Sequence, residues 1–399
     1  MACNAVFGIE EGTPAPATSG AGAAGGAGGQ GGASSSSGGG GAGAGGDATG
    51  GGSPVCGPSA CAEVDYEPGG ACAAVTIYAS AGDEDQDLEG TGILSDLPRE
   101  RFLWGKGDGS TIVATPFGGG ASTVLVDAPA APDAHYPYQM ARDEQNLYWV
   151  TFYDGTLSRL ALENGLGAVR VATAPGIGLD KSITLFNGQV FYATMVSSDP
   201  SDSFCNQAPN TCTDKLFAAP VGASGADATL VYEDPAERFR IGGVTSDGTS
   251  VFFTTCYEFV DDGKVYRLDD PAGAPLEIAS FSAPTSSCGE IVADPGPGGR
   301  LYWMAADTLL TSLKEPSETV VKGNAPSASR LVADDEYLYW ISQGSEIMRA
   351  PKKTVGPAVR VGVGVNAFGL AVDCGHITWT NTHDMNQPGS TITLLSATR

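Results

Sequence analysis

The chain has 399 residues, of which 46 are acidic and 21 are basic, so its formal net charge is −25. A surplus of acid this large argues against binding to nucleic acid and against direct adsorption to anionic lipid. No apolar run reaches the roughly eighteen residues that a membrane-spanning helix needs, so the sequence predicts none.

The first residues, Met1-Ala2-Cys3-Asn4, place one cysteine apart from all the others. A small residue followed by cysteine resembles the end of a bacterial lipobox, in which the cysteine is diacylated after the signal peptide is removed. No hydrophobic signal segment precedes Cys3. A true start lying upstream would explain this, and a chance cysteine in a disordered tail is the alternative. We predict residues 1–12 to be a lipoprotein N-terminus with Cys3 as the lipidation site.

Residues 13–55 are predicted to be a disordered linker, because Thr13–Ser53 is nearly all Gly, Ala, Ser and Pro and carries one charge, Asp47. Such a chain is a flexible coil with an end-to-end distance of roughly 35 Å. Residues 56–71 form a cysteine-containing lead-in. A lipidated cysteine, a Gly/Ser stalk and a folded head together resemble the stalked surface lipoproteins of Gram-negative bacteria. This implies an exported protein, anchored to the outer membrane or located in the extracellular or periplasmic space.

From residue 72 to residue 399 the sequence repeats a unit of four short strands. The clearest copy predicts strands at Arg330–Ala333, Tyr337–Ser342, Ser345–Ala350 and Ala358–Val361, separated by polar turns. Four antiparallel strands repeated at intervals of roughly 37 to 61 residues are typical of β-propeller blades, so an all-β propeller is predicted. The second strand of each copy carries an apolar or aromatic anchor: Phe102-Leu103-Trp104, Leu147-Tyr148-Trp149, Val190-Phe191-Tyr192, Val251-Phe252-Phe253, Leu301-Tyr302-Trp303, Leu338-Tyr339-Trp340 and His376-Ile377-Thr378-Trp379.

The number of copies predicts seven blades, with six or eight as the counting error. The last copy ends with its third strand, Thr391–Ala397, whereas a single strand, Ala73–Ala79, precedes the first complete copy near Thr91. We predict that Ala73–Ala79 pairs with the last blade and closes the ring, because closure removes the free edges of an open sheet.

The strings LYWVTFYDGTLSRL, LYWMAADTLLTSL and LYWISQGSEIMRAP resemble the YWTD-type propellers of cell-surface proteins, although the full tetrapeptide is absent. The resemblance covers roughly residues 73–399 and implies the fold without an active site. The aromatic anchors are predicted to pack between blades, the usual role of half-buried strand aromatics.

Eight further cysteines are present, and an even number in an exported chain predicts disulfides. Zinc binding is the rival interpretation, but no pair has C-x-x-C spacing and the chain has three histidines. Eight cysteines allow about 105 connectivities, so the pairing stays open. The propeller register suggests Cys205 with Cys212, Cys256 with Cys288, Cys72 with Cys374, and Cys56 with Cys61.

The sequence contains no G-x-S-x-G elbow, no H-E-x-x-H motif and no Walker loop. Calcium-dependent lactonases of the propeller type coordinate a metal in the channel with acids and asparagines, and this chain has such residues. We assign no catalytic residue, no metal ligand and no cofactor, and Ca²⁺ is the one ion considered. The candidates for a binding face lie in the loops of one face or in the first strands along the channel: His135, Tyr138, Asp180, Arg240, Glu290, Asn366 and His383.

Two functions stand as hypotheses. The first is a non-enzymatic surface module or scaffold that binds protein, peptide or glycan as a monomer. The second is a channel-centred, Ca²⁺-dependent hydrolase or lyase of the lactonase-like type. Three or more carboxylates and amides converging on one point would favour the enzyme, and a broad loop-lined face would favour binding.

Overall fold

The computed structural model describes residues 74–79, 92–105, 111–126, 137–151, 154–163, 167–197, 212–234, 239–257, 262–282, 288–342, 345–353, 357–364, 366–382 and 392–398. The predicted lipoprotein N-terminus, linker and lead-in lie outside these residues. So do seven of the residues singled out above: Cys3, Cys56, Cys61, Cys72, His135, Cys205 and His383.

The described residues form a ring of seven blades, each with four strands paired antiparallel to their neighbours. The chain begins with β1 (Val75–Ala79). Blade 1 consists of β2 (Ile93–Asp96), β3 (Arg101–Gly105), β4 (Ile112–Pro116) and β5 (Thr123–Val126), with a short 3-10 helix at Leu97–Arg99. Blade 2 consists of β6 (Pro137–Arg142), β7 (Asn146–Thr151), β8 (Thr156–Ala161) and β9 (Val169–Thr173). Blade 3 consists of β10 (Ile177–Phe186), β11 (Gln189–Ser197), β12 (Cys212–Pro220) and β14 (Thr229–Tyr232), and β13 (Ala226–Asp227) lies between the last two in the chain.

Blades 4 to 7 repeat this pattern. Blade 4 consists of β15 (Phe239–Ser246), β16 (Val251–Tyr257), β17 (Gly263–Leu268) and β18 (Leu276–Phe281). Blade 5 consists of β19 (Cys288–Ala293), β20 (Arg300–Ala305), β21 (Thr308–Leu313) and β22 (Val320–Asn324). Blade 6 consists of β23 (Ala328–Ala333), β24 (Tyr337–Ser342), β25 (Glu346–Pro351) and β26 (Val359–Val363). Blade 7 adds β27 (Ala367–Val372), β28 (His376–Thr382) and β29 (Ile392–Thr398).

The ring is closed by the N-terminal strand, as predicted. Strand β1 pairs antiparallel with β29, with Val75 opposite Ser396, and so becomes the outer strand of blade 7. The innermost strand of each blade packs against the innermost strand of the next, and β27 of blade 7 packs against β2 of blade 1. The predicted seven-bladed propeller is therefore confirmed. In the part of the chain that is described, no helix is long and apolar enough to cross a membrane.

Blade 3 departs from the prediction. Its third strand, β12, begins at Cys212, which is buried within the strand. Strand β13 was not predicted. It pairs in parallel with β9 of blade 2, with Ala226 opposite Ala172, and adds a fifth strand to that sheet. Pairing between different blades leaves no periodic trace in the local sequence, which explains the omission.

The second strands carry the core between blades, as predicted. The five tryptophans, all on second strands, are at most 2% exposed. Trp303 of blade 5 packs against Phe281 of blade 4, with ring centroids 5.5 Å apart. Trp104 also donates a hydrogen bond from Nε1 to Thr115 Oγ1 at 2.9 Å. Aromatic area buried at the blade boundaries is thus a main attraction that holds the ring together.

Two second-strand tyrosines provide a matched test of this core. Tyr192 is 1% exposed, and its hydroxyl has no hydrogen-bond partner in the described structure. The Tyr148 hydroxyl donates to Asp143 Oδ2 at 2.9 Å. A buried hydroxyl without a partner costs about 1–3 kcal/mol. Tyr192→Phe is therefore expected to leave the free energy of unfolding unchanged or to raise it, whereas Tyr148→Phe should lower it by about 1–2 kcal/mol. The reverse order in denaturant unfolding would contradict these contacts.

The same tyrosines predict sensitivity to alkali. Burial raises the pKa of Tyr148, Tyr192 and Tyr302 well above the usual value near 10, and nearby aspartates raise it further at Tyr148 and Tyr302. The unfolded chain therefore releases these protons first. Their contribution to the free energy of unfolding is complete below about pH 10. It decreases as the pH rises further, by about 1.4 kcal/mol per pH unit for each tyrosine. Unfolding at pH 9 and 11 should show a smaller loss for Tyr192→Phe than for the unmutated chain; an equal loss would contradict the assignment.

Candidate functional site

The turns between first and second strands serve the fold itself. In blade 6 the Asp334 Oδ1 accepts the backbone N–H groups of Glu336 and Tyr337 at 2.7 and 2.6 Å, and its Oδ2 accepts the Tyr339 hydroxyl at 2.7 Å. Asp143, Asp247 and Asp373 hold their turns in the same way. Such side-chain to backbone bonds are the usual reason for aspartate in a turn. We call the side of the ring that carries these turns the turn face.

Charged groups on the turn face also join neighbouring blades. Lys314, after the third strand of blade 5, lies 2.5 Å from Asp247 Oδ2 of blade 4, and both side chains are almost fully buried. Lys352 of blade 6 lies 2.6 Å from Asp294 of blade 5. Ser95 of blade 1 donates to Asp373 of blade 7 at 2.7 Å, at the boundary where the ring closes. Asp247, Asp294 and Asp373 are therefore engaged in structure.

The opposite side of the ring, which we call the loop face, carries the connections between second and third strands and those from each fourth strand to the next blade. The connections of the turn face are mostly short. The loop face includes the longer segments 127–136, 198–211 and 383–391, which lie outside the described residues. Loops on a rigid scaffold are the usual location of binding residues.

The innermost strands line the channel, and in six of the seven blades they are irregular. The pairing of the first with the second strand shifts register near the middle of the first strand in blades 2 to 7. Bulges of this kind turn side chains away from the regular alternation and are frequent near functional sites. In each of these six blades one residue at or beside the shift lies four positions before the turn. We call these six residues, together with the equivalent residue of blade 1, the channel layer. In chain order they are Gly92, Gln139, Ser182, Gly243, Glu290, Arg330 and Gly369.

The large polar side chains of the channel layer are buried. Glu290 is 2% exposed, and its Oε2 accepts the backbone N–H of Leu331 in the next blade. Arg330 is 3% exposed, and its Nε donates to the carbonyl of Phe368 in the blade after that. Gln139 is 1% exposed, and neither atom of its amide has a hydrogen-bond partner in the described structure. The channel layer thus contains side chains that hydrogen-bond to a neighbouring blade and buried polar groups that have no hydrogen-bond partner in the described structure.

The predicted binding-face residues are only partly brought together. Glu290 lies in β19 and belongs to the channel layer. Arg240 lies in β15, one of the innermost strands, and its guanidinium lies 3.4 Å from Asp214 on the third strand of blade 3, so it joins two blades. Asn366 is exposed, with a left-handed φ of 45°, just before β27. Tyr138 and Asp180 lie in β6 and β10, but their side chains, like that of Cys288 in β19, are outside the description.

Gln139 and Arg330 were missed by the sequence reading. Arg330 was assigned to a first strand and Gln139 was not singled out. The signal was present, because counting back four residues from Asp143, Asp294 and Asp334 gives Gln139, Glu290 and Arg330. The fixed distance between these aspartates and the bulge is apparent only from the strand pairing.

A metal site is not apparent among the residues that are described. No group of three or more His, Cys, Asp or Glu side chains within them is arranged to hold a metal ion. Among the candidate channel residues, the side chains of Tyr138 and Asp180 lie outside the description.

Comparisons with known proteins agree on the fold. No family model matches the chain, and no curated protein matches it. The chain is similar to a solved streptogramin B lyase, at 12% identity with a TM-score of 0.53 over 80% of this chain and 97% of that one. It is similar to an oligogalacturonate lyase in complex with manganese, at 11% identity with a TM-score of 0.53 over 82% and 97%. A virginiamycin B lyase from Staphylococcus aureus with quinupristin matches at 13% identity with a TM-score of 0.51 over 80% and 99%. At such identities the likeness shows the propeller fold alone.

Proposed function

We propose that this protein is a non-enzymatic binding module of the cell envelope. A propeller head on a flexible stalk would be anchored through lipid at Cys3, and its loop face would bind a protein, peptide or glycan. The observation that carries the proposal is the difference between the two faces. The turn face repeats one short turn whose aspartate bonds to the turn itself, whereas the longest connections all belong to the loop face.

The predicted Cys205–Cys212 pair supports this use of the loop face. It would fix the long connection 198–211 where it meets β12. A loop held in place loses less conformational entropy when a partner binds. The net charge of −25 suits an exported head that does not associate with itself.

The experiment is a screen of the full-length chain on peptide and envelope-glycan arrays, followed by titration of the strongest ligand. Replacing residues 383–391 by a Gly/Ser segment of equal length is expected to weaken that ligand at least about tenfold. Glu144→Lys, an exposed change on the turn face, is the matched control and should leave affinity unchanged. Loss of binding in Glu144→Lys alone would contradict the proposal.

The alternative is a calcium-dependent hydrolase or lyase centred on the channel, and the one observation in its favour is Glu290 in the channel layer. Its test is turnover of lactone, ester or polyuronide substrates with and without added Ca²⁺. Turnover that depends on Ca²⁺ and is lost in Glu290→Ala would replace the binding proposal by the enzymatic one.

The proposed anchor has its own test. A diacylated cysteine with a third acyl chain holds a protein firmly on a membrane, because two or more chains give stable residence. The gene is expressed with its upstream region in cells given labelled palmitate. Labelling and membrane association are expected for the natural chain and should disappear in Cys3→Ser. A Cys3→Ser protein that still carries label would contradict lipidation at this residue.

A further inference from the structure

The outer strand of a blade is contacted, at three described places around the ring, by the segment that enters the outer strand of the next blade. In blade 3 this segment is β13. The N–H groups of Gly225 and Ala228 donate to carbonyls of β9, the outer strand of blade 2, and Ala226 pairs with Ala172. The chain thus already adds a fifth strand to one of its own sheets.

Two other boundaries show the same route. In blade 5 the segment before β22 lies along β18 of blade 4, where the Ser317 N–H donates to the Ile278 carbonyl at 3.0 Å and the Thr319 hydroxyl donates to a second carbonyl of β18 at 2.6 Å. In blade 1 the segment before β5 lies against β1 of blade 7, since a Cβ placed on Gly119 would be 3.1 Å from the Ile77 carbonyl oxygen. This route covers N–H and C=O groups that an outer strand otherwise leaves unpaired.

Blade 6 is the boundary where the corresponding segment is N-terminal to the ring. Its outer strand is β26, and among the described residues no strand other than β25 pairs with it. The next blade is blade 7, whose outer strand is β1, so the segment that enters it consists of the residues before Val75. By the route of the other three boundaries, the cover expected for β26 is the lead-in, residues 56–71.

The lead-in contains one stretch with the pattern of a strand. Residues 62–67 read Ala-Glu-Val-Asp-Tyr-Glu, in which apolar and acidic residues strictly alternate, as in a half-buried strand. Pro68-Gly69-Gly70 follows and predicts a turn. Residues 68–74 then lead to β1. Fully extended they span up to roughly 23 Å, and packed sheets lie about 10 Å apart, so residues 62–67 can reach the neighbouring blade.

The charges of the two segments are complementary. The lead-in carries three acids, Glu63, Asp65 and Glu67, and no lysine or arginine. Strand β26 carries Arg360, whose side chain is 46% exposed, and the exposed Lys353 lies in the segment before it. Exposed ion pairs contribute little energy, so the main attraction is the pairing of the main chains, and the charges favour this segment over others.

We propose that residues 62–67 pair with the outer edge of β26 and form a fifth strand of blade 6. Their apolar side chains cover Val363, which is 54% exposed in the described structure, and their acids face Arg360. The stalk that precedes them then leaves the head at the outer rim of blade 6, so the loop face and the turn face both stay open. The pairing requires neither a ligand nor lipidation at Cys3, so it can hold or fail independently of the proposed function.

Hydrogen exchange of the full-length chain, followed by mass spectrometry, tests the pairing. Replacing residues 62–67 by a Gly/Ser segment of equal length should speed exchange in the peptide that contains 359–363 at least about tenfold, because its outward N–H groups lose their partners. Exchange in β18, whose outer edge is contacted by Ser317 and Thr319, is the internal control and should not change. Equal exchange of 359–363 in both chains would contradict the proposal.

A charge reversal tests which segment covers β26. Arg360→Glu should also speed exchange of 359–363, and replacing the three acids of the lead-in by lysine in that background should slow it again. Arg170→Glu, the same change at an exposed position of β9, is the matched control and should leave exchange of 359–363 unchanged. If the lysine replacements fail to slow exchange, the acids of the lead-in do not face Arg360 and the assignment is wrong.

Crosslinking identifies the occupant of the edge directly. In a mixture of isotope-labelled and unlabelled protein, a photoreactive phenylalanine analogue in place of Tyr66 should crosslink to 357–364 of its own chain. Crosslinks between a labelled and an unlabelled chain would mean that a second copy covers the edge. Crosslinks to another blade would mean that the lead-in lies elsewhere. Either result would overturn the proposal.

Discussion

Cys72→Ser is expected to lower the free energy of unfolding by roughly 5 kcal/mol, because the predicted Cys72–Cys374 bond would link the two ends of the ring. The strand register supports this pair. Val75 of β1 lies opposite Ser396 of β29, and Ser396 lies opposite Thr378 of β28. Strands β1 and β28 run in the same direction, and Cys72 and Cys374 precede Val75 and Thr378 by three and four residues.

The size of the effect follows from the length of chain enclosed. In the chain-entropy model a link across about 300 residues restricts the unfolded chain far more than the short Cys205–Cys212 link, which should contribute only about half as much. Strain in the folded state would lower both values. Cys205→Ser is therefore the matched control, and denaturant unfolding under oxidising conditions compares the two. Peptide mapping without reduction decides the pairing: a Cys72 peptide joined to Cys56 or Cys61 would contradict this account of the closure.

Lys314→Met is expected to lower the free energy of unfolding by about 3–5 kcal/mol. The Lys314 ammonium is 3% exposed and donates to Asp247 Oδ2 at 2.5 Å and to the carbonyls of Asp294 and Gly296. Burial lowers its pKa, and Asp247 opposes that shift. Removing one partner of a buried pair leaves the other charge buried without compensation, and this costs more than the pair itself contributes.

Two further variants separate that effect from loss of packing. Asp247→Asn in the Lys314→Met background removes the uncompensated charge and keeps the Oδ1 that accepts the Thr249 and Ser250 N–H groups. It should recover part of the loss. Lys264→Met breaks an exposed pair with Glu277 and should cost less than about 1 kcal/mol. Equal losses for Lys314→Met and Lys264→Met would mean that the buried pair does not join blades 4 and 5.

Much of the fold could be predicted because each blade repeats a local pattern. Strand β24 was predicted as Tyr337–Ser342 and has those bounds, since the alternation around Leu338-Tyr339-Trp340 and its flanking polar turns are local signals. The closing strand was predicted from a count of strands, and β1 pairs with β29 as expected. Apart from the fold, what the resemblance to YWTD-type propellers implies stays a prediction.

The candidate site was less predictable because it depends on contacts between blades. Glu290 was identified as a channel residue, but its bond to the Leu331 N–H joins two blades and leaves no local signal. Arg240 was identified as a channel residue, but its pair with Asp214 of the preceding blade likewise leaves no local signal. Arg330 resembled an ordinary first-strand residue, because its positive φ arises from a bulge that only the pairing with β24 reveals.

We expect the turn face to hold the ring together and the loop face to be available for binding. The most direct measurement is denaturant unfolding of two variants, Asp334→Ala and the chain with 383–391 replaced by Gly/Ser of equal length. Asp334 is fully buried and accepts three hydrogen bonds, so its loss should cost about 3 kcal/mol or more. The loop replacement should change the free energy of unfolding by less than about 0.5 kcal/mol. A tolerated Asp334→Ala together with a destabilising loop replacement would contradict the account.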